Sequence, residues 1–305
     1  MLGGIFGKKR QNNHLIVITL DSCRHDSFMA AQPENIARLV GGLDAVERRY
    51  SYASWTAPSH YNLLTGLVPH TSPPKVYASE YYKKDLYKFT ERLGVEKAGF
   101  EAMIPHLWLP TFMKKHGYET HAMVSLPVLN PATGVNKDFD TFKLMPKHND
   151  MLAMLDEMEA HYKRPSKGLK GNVPQFYLLN VGETHYPYAL PDEDKNDLPH
   201  ISGVNGIFRK LDKQISDDGT LVSDNEAGEF MDMEKIEHCR QRQINTVKYL
   251  NETVFPRLYD LVPKDTWIIV TADHGELFGE AGYFGHGPIM HEKVFEVPFL
   301  EGKIR

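Results

Sequence analysis

His14-Leu-Ile-Val-Ile-Thr-Leu20 is a short, nearly continuous apolar run that leads directly into Asp21. A strand that is apolar on both faces, rather than alternating with polar residues, is typical of a parallel sheet with helices on both sides. Two further runs have the same character, at Gln175–Val181 and Thr266–Ala272, and the three are spread over the whole chain. They predict three buried, parallel strands.

Weaker strand signals occur at Tyr118–Ser125 and Val297–Leu300. Strands that alternate with helices favour a doubly wound, mostly parallel α/β sheet with helices on both faces. The segment 191–229 is rich in Asp, Asn, Ser and Gly and has no clear period, so we predict a surface insertion or lid within a single domain spanning residues 1–305. Apolar residues at three- and four-residue spacing predict the helices, at about residues 31–42, 59–65, 109–116, 148–163 and 230–261.

The net charge and the lengths of the apolar runs argue against some classes of binding partner. The 305 residues carry 35 basic and 40 acidic side chains, and a net charge of -5 gives no long-range attraction for a nucleic-acid polymer. No apolar run approaches the roughly 18 residues that a membrane span needs, and the first residues lack the order of a secretory signal. We therefore expect no membrane span and a cytoplasmic location. Cys23 and Cys239 lie far apart in sequence, which favours two reduced thiols.

Acids and histidines follow each of the three strong strands. The first strand runs into Asp21, the second into Gly182-Glu-Thr-His185, and the third into Asp273 and His274. Because ligands bind beyond the carboxyl ends of the strands in open α/β sheets, we expect these side chains to converge on one crevice. Carboxylate oxygen and imidazole nitrogen are suitable ligands for a divalent metal ion. The pattern therefore predicts a metal site.

A second motif lies between the first two of these strands, at Ser54–Gly66. Pro58 near the first turn of a helix puts Thr56 just before the helix N-terminus. The dipole there favours a nearby anion by about 0.3–1 kcal/mol when exposed and up to about 2 kcal/mol when partly buried. That is too little to ionise a threonine at neutral pH, so a coordinated cation is the larger contribution. Thr56 is either a nucleophile or a capping hydroxyl.

These motifs together resemble the alkaline phosphatase superfamily, in its sulfatase-like branch. Val17–Asp26 resembles the opening strand and first metal aspartate of that branch, and Thr271–Glu280 is similar to its second metal motif. Thr56–His70 resembles the nucleophile helix of sulfatases and, more closely, that of nucleotide pyrophosphatase/phosphodiesterases. Fainter similarities, in the same order as in the family, occur at Lys115–Tyr118, Asp138–Asp140 and Glu183–Tyr188.

The resemblance assigns roles to individual residues. It implies Asp21, Asp273 and His274 as metal ligands, with Thr56 as both the nucleophile and the fourth ligand. It places His185 on the substrate or leaving group. The family reaction is attack by the nucleophile on phosphorus or sulfur, after which water or another alcohol resolves the covalent ester. One or two divalent ions are implied, and the ligand set suits Zn or Mn better than Mg or Ca.

Other polar residues near these motifs have two interpretations each. His286 is a candidate for a second metal or for contact with the transferred group, and Glu183 and His291 are weaker candidates for the same second site. Each of them could instead be a hydrogen-bonded structural residue. Arg24 and Asp26, just after the metal aspartate, are expected to form a buried ion pair that holds this loop.

The chain departs from true sulfatases at its nucleophile. Those enzymes begin the motif with a Cys or Ser that is oxidised to formylglycine, which Thr56 cannot become, and Cys23 lies in a different motif. A metal-dependent hydrolase or transferase of phosphate or phosphonate esters is therefore favoured, acting on a small-molecule, lipid or nucleotide-type ester. The alternatives are a sulfatase-type hydrolase without formylglycine and a non-catalytic anion-binding relative.

Two further departures concern the extent of the site. The usual pair of acids after the first strand is reduced to Asp21-Ser22, which favours one metal site with fewer carboxylates. Little sequence follows the strand at Val297–Leu300, so the C-terminal subdomain common in sulfatases is expected to be missing. The sequence carries no signal for the oligomeric state.

Overall fold

A seven-stranded sheet is the centre of the computed structural model, which describes residues 13–71, 92, 94, 108–163, 173–193, 198–199, 201, 232–287 and 289–304. The strands are β1 (Leu15–Leu20), β2 (Glu47–Tyr50), β3 (Glu119–Val124), β4 (Thr141–Leu144), β5 (Gln175–Val181), β6 (Trp267–Thr271), β7 (Leu277–Phe278), β8 (Phe284–Gly285) and β9 (Glu296–Lys303). The strand order in the sheet is β2-β9-β6-β1-β5-β3-β4, and β7 and β8 form a separate hairpin.

The five strands β6, β1, β5, β3 and β4 run parallel, while β9 and β2 pair antiparallel at one side. Every residue of β1 is buried, because alternate side chains enter two different cores. Ile16, Ile18 and Leu20 pack in one core, and Leu15 and Val17 pack in the other. Burial on both faces is the physical reason for the continuous apolar run. The predicted doubly wound, mostly parallel sheet is confirmed.

The helices cover both faces of the sheet. The predicted helix at 31–42 was wrong in extent, because α1 (His25–Ala30) ends before Gln32, whose φ is +50°, and Pro33 precedes the short α2 (Glu34–Ala37). The predicted helix at 230–261 is present from Met233 to Leu261 among the described residues, and it includes a π-helical turn at Leu250–Val254. The helices are α1 (His25–Ala30), α2 (Glu34–Ala37), α3 (Thr56–Leu64), α4 (Leu109–Lys115), α5 (Met151–Tyr162), α6 (Met233–Tyr249), α7 (Phe255–Leu261) and α8 (Glu292–Phe295).

Two strands of the seven-stranded sheet have no counterpart in the sequence prediction. Both β2 and β4 lie at the edges of the sheet, are four residues long and are largely exposed or half-buried, so they lack a continuous apolar run. Most of the segment 191–229 lies outside the described residues, and the lid stays a prediction. No helix in the described part of the chain is both long enough and apolar enough to cross a bilayer. Cys23 and Cys239 are both free and buried.

Candidate metal centre and nucleophile

Three of the predicted ligands lie together at the carboxyl ends of the neighbouring strands β1 and β6. Ligand atoms of Asp21, Asp273 and His274 all lie within 4.8 Å of one another, and all three side chains are buried. Nε2 of His274 is 3.5 Å from Oδ2 of Asp273 and 4.0 Å from Oδ1 of Asp21. Residues some 250 positions apart therefore converge because their strands are parallel neighbours.

The two carboxylates are held by unequal sets of hydrogen bonds. Asp21 Oδ2 accepts from Nδ2 of Asn180 at 2.7 Å, and its Oδ1 accepts from Oγ of Ser22 at 3.2 Å. Asp273 Oδ1 accepts from the backbone N–H groups of Ser22 and His274, at 3.1 and 3.0 Å. Oδ2 of Asp273 is buried and has no hydrogen-bond partner among the described residues. A buried, unpartnered carboxylate oxygen is costly unless a cation or donor meets it, so this atom fits a metal ligand.

The charges of this pair point to the same conclusion. Burial raises the pKa of Asp273 well above its ordinary value, and the negative charge of Asp21 raises it further. Burial acts in the same direction on Asp21, but the nearby His185 and His274 and the Asn180 amide lower its pKa below the usual range. Two adjacent buried acids resist ionising together, and a divalent cation removes that conflict.

Three histidines around the cluster are held through the same ring nitrogen. Nδ1 of His274 donates to the carbonyl of Gly275 at 2.8 Å, and Nδ1 of His185 donates to the carbonyl of Tyr186 at 2.8 Å. Nδ1 of His286 lies 2.9 Å from Oε1 of Glu276. Because Nδ1 carries the proton in these bonds, Nε2 of a neutral ring is left as an acceptor or ligand.

The rings also lie close to one another. The ring centroids of His274 and His286 are 4.2 Å apart, and those of His185 and His286 are 5.5 Å apart. Burial lowers the pKa of His274 well below its ordinary value, and the neighbouring His286 lowers it further, so His274 is neutral. Burial also opposes protonation of His286, but the Glu276 carboxylate outweighs it and raises the pKa. The cluster thus has one neutral imidazole suited to a metal and another that holds a proton more readily.

Thr56 lies against this cluster. It is the first residue of α3, with Trp55 as the N-cap, and not the residue before the helix that the sequence suggested. Its side chain is 4% exposed, and Oγ1 is 3.3 Å from Nε2 of His274. His60, one turn further along, donates from Nδ1 to the carbonyl of Thr56 at 2.8 Å and contacts Oγ1 of Thr19 through Nε2 at 3.1 Å. This buried histidine connects the start of α3 to β1.

The two weaker candidates make local contacts instead. Glu183 Oε1 accepts from the N–H of Met151 at the start of α5, at 2.8 Å, and burial raises the pKa of Glu183 to about 7. Nδ1 of His291 accepts from the N–H of Lys293 at the start of α8, at 3.1 Å. Neither belongs to the group of close ligand atoms formed by the described residues. A role for either in a second metal site stays a prediction.

Glu276 is a site residue that the sequence analysis missed. Its side chain is 1% exposed, with Oε1 at His286 and Oε2 accepting from the hydroxyl of Tyr188 at 3.0 Å. The sequence feature that could have identified Glu276 is its position two residues after His274, in the motif that follows β6. The intervening Gly275 is required by packing, because a Cβ there would lie 2.1 Å from the carbonyl oxygen of Lys293.

The predicted ion pair of the first loop is also present. Arg24 is 3% exposed and contacts Asp26 and Glu280, each at 2.5 Å. It therefore joins the loop after β1 to the segment after β7, and both acids lie outside the group of close ligand atoms. Its role is to hold these two loops.

Comparisons with known proteins agree with this architecture. The sequence profile of the sulfatase family matches residues 13–300. A comparison with curated protein sequences gives no significant match. Among solved structures, the C-terminal periplasmic domain of phosphoethanolamine transferase EptC from Campylobacter jejuni is similar with a TM-score of 0.54 and 13% identity, over 95% of this chain and 80% of that one.

Two further structures are similar over nearly the whole chain. The corresponding domain of EptC from Escherichia coli, in complex with Zn, gives a TM-score of 0.55 at 12% identity, over 97% of this chain and 74% of that one. The phosphonate monoester hydrolase of Agrobacterium radiobacter gives 0.50 at 15% identity, over 95% and 68%. At such low identity the likeness shows a shared fold. Because two of these neighbours are periplasmic domains, the cytoplasmic location stays a prediction.

Proposed function

This chain belongs to the sulfatase family, and from that premise we propose that it is a metal-dependent hydrolase or transferase of phosphate or phosphonate esters with Thr56 as its nucleophile. One observation carries the proposal. The hydroxyl of Thr56 is buried 3.3 Å from Nε2 of His274, beside two carboxylates of which one oxygen has no hydrogen-bond partner among the described residues. A hydroxyl that only caps a helix does not need to lie beside a histidine and two buried carboxylates.

The donor set fits a divalent cation. Asp21, Asp273 and His274 supply two carboxylates and one neutral imidazole, which suits zinc or manganese better than magnesium or calcium. When bound, the cation supplies positive charge that favours the ionised form of Thr56 and offsets the negative charge of the transferred group. The EptC domain from Escherichia coli, which was solved with Zn, supports the choice of zinc.

In the proposed two-step transfer, different residues of the chain have different roles. Thr56 loses its hydroxyl proton as its Oγ1 forms a bond to phosphorus, the bond from phosphorus to the leaving oxygen breaks, and the leaving oxygen takes up a proton. The N–H groups in the first turn of α3 stabilise the oxygens of the transferred group. His185 and His286, half-buried beside the cluster, are placed to exchange the proton. Water or an alcohol then attacks phosphorus and loses a proton, while the bond from phosphorus to Oγ1 of Thr56 breaks and Oγ1 takes up a proton.

Phosphorus is favoured over sulfur by the nucleophile itself. Thr56 cannot be converted to formylglycine, and Cys23 is fully buried in the loop after β1, in a different motif from that of α3. Burial also raises the pKa of the Cys23 thiol, which makes it a poor nucleophile. Two structural neighbours, a phosphoethanolamine transferase and a phosphonate monoester hydrolase, are phosphorus enzymes by name and support this choice.

A panel of esters tests the proposal. We expect the metal-stripped protein to be inactive, and the protein loaded with Zn or Mn to turn over p-nitrophenyl phosphate, bis-p-nitrophenyl phosphate or a phosphonate monoester faster than p-nitrophenyl sulfate. Faster turnover of the sulfate would contradict the preference for phosphorus. Bound metal without turnover of any ester would favour the non-catalytic anion-binding alternative.

A further inference from the structure

Gln243, on the long helix α6, connects two loops of the candidate site. The side chain is fully buried. Its Nε2 donates to the carbonyl of Ser22 at 2.9 Å and to the carbonyl of Thr184 at 3.1 Å. Its Oε1 accepts from the N–H of Arg24 at 3.4 Å. Both amide hydrogens and the amide oxygen are therefore used on the backbone of the loops after β1 and β5.

Each loop carries a residue of the proposed site next to the contact. Ser22 follows Asp21, and it has a φ of +59°, in the left-handed region that a non-glycine residue adopts at a cost. Thr184 precedes His185, and its hydroxyl donates to the carbonyl of Asp21 at 2.7 Å. The Gln243 amide thus holds the backbone of Asp21 and the backbone of His185 at a fixed separation.

Other residues of α6 also contact the loops that carry the site. Arg242 donates from Nη2 to the carbonyl of Tyr188 at 3.1 Å and pairs with Glu193, further along the loop after β5. Near the start of α6, Met233 packs against Gly279, where an added Cβ would lie 2.6 Å from its Cε. The helix therefore contacts the chain that follows each of β1, β5 and β6, the three strands that end at the site.

We infer that Gln243 is a positioning residue, which sets the separation of the Asp21 and His185 loops and thereby controls both metal affinity and the rate of transfer. The inference rests on the proposed function. A glutamine is suited to this place because it offers two donors and one acceptor at the end of an unbranched side chain. Groups that orient metal ligands typically change metal affinity or activity by about 10–100-fold when removed.

The test uses two substitutions of nearly equal size. Gln243→Met keeps the length and removes every hydrogen bond, while Gln243→Glu keeps the acceptor but sets a carboxylate against two carbonyls. We expect both to weaken zinc affinity by about 10-fold and to lower kcat by about 10–100-fold, with a smaller change in KM. The control is Gln241→Met, on the exposed face of the same helix, which should change neither.

Zinc affinity is measured by equilibrium dialysis, and kcat and KM with bis-p-nitrophenyl phosphate, well below the Tm of each variant. A folded Gln243→Met protein with the zinc affinity and kcat of the parent would overturn the inference, as would equal losses in Gln241→Met. If Gln243→Met does not fold, Gln243→Asn takes its place, because it keeps the amide but is one methylene too short. Parent-like values in that variant would overturn the inference equally. If Thr56→Ala keeps the parent turnover, the proposed function fails, whereas the zinc affinities still test Gln243.

Discussion

The two ends of the parallel strands use buried polar groups in opposite ways. Towards the amino ends, His121 is 5% exposed, but both ring nitrogens are occupied, Nδ1 by Oγ1 of Thr141 at 2.7 Å and Nε2 by Oε1 of Gln175 at 2.8 Å. At the carboxyl ends, the carbonyl of Gly275 holds Nδ1 of His274, while Nε2 lies 3.3 Å from the Thr56 hydroxyl and beside two carboxylates. An imidazole bonded to structural partners on both sides stabilises the fold, whereas one whose second nitrogen faces two acids and a nucleophilic hydroxyl indicates chemistry.

Replacing the nucleophile should have the largest effect. We expect Thr56→Ala to lower kcat/KM by at least about 10³-fold, because it removes the hydroxyl that lies 3.3 Å from Nε2 of His274. Thr56→Ser is the matched control, since it keeps the hydroxyl and should retain measurable turnover. Steady-state kinetics on a phosphorus ester, with circular dichroism to show that the fold is intact, make the comparison. Equal rates for the alanine variant and the parent would remove Thr56 from the reaction.

Removing a carboxylate from the cluster should come next. Asp273→Asn should weaken zinc affinity by about 100-fold or more, because it replaces a charged ligand with a neutral amide. Zinc should also raise the Tm of the parent but not that of the variant, since a bound ligand stabilises only a protein that binds it.

The control for this experiment lies at the other end of the strands. Asp140 pairs with Lys114 at 2.8 Å and accepts from the N–H of Thr120 at 2.9 Å, so its partners are already present. Asp140→Asn should leave zinc binding unchanged. Zinc binding by Asp273→Asn at the affinity of the parent would show that Asp273 is not a ligand.

The Glu276–His286 pair should give an intermediate effect. In the parent, the Glu276 carboxylate holds Nδ1 of His286 and raises the pKa of that histidine. Glu276→Gln removes this charge, so His286 should lose its proton at a lower pH. We expect kcat to fall by about 10-fold or more. In the pH–rate profile, the apparent pKa of the group that must be protonated for activity should shift to lower pH. An unchanged pH profile would show that His286 does not exchange a proton in the rate-limiting step.

The smallest effect on turnover should come from His121. His121→Leu breaks two hydrogen bonds far from the site, and we expect the free energy of unfolding to fall by about 1–3 kcal/mol. The kcat should stay within about twofold of the parent, because His121 lies near the amino end of β3, at the opposite end of the sheet from the proposed site. Urea denaturation and the ester assay measure the two quantities. A loss of kcat without a loss of stability would break the proposed difference between the two ends of the sheet.

Much of the fold could be predicted because a strand that is buried on both faces of the sheet is a continuous apolar run in the sequence. The runs of β1, β5 and β6 are apolar at nearly every position, and each ends in the residues that meet at the site. The edge strands β2 and β4 escaped prediction because half of their side chains contact solvent. The break between α1 and α2 depends on the backbone at Gln32, which periodicity does not reveal.

The site could be predicted only in part. Asp21, Asp273 and His274 follow strands, so their meeting is a consequence of topology. Glu276 acts through His286, which is ten residues away, and Gln243 acts from a helix more than 200 residues after Ser22. Such contacts depend on tertiary packing, which a local pattern does not contain.

The most direct test of a threonine nucleophile is to trap the covalent ester. The protein loaded with zinc is mixed with bis-p-nitrophenyl phosphate, quenched in acid during turnover, digested and examined by mass spectrometry. We expect an added p-nitrophenyl phosphoryl group on Thr56 in the parent, since only one p-nitrophenol leaves in the first step, and no adduct in Thr56→Ala. An adduct on another residue, or steady turnover by Thr56→Ala at the rate of the parent, would contradict the proposed mechanism.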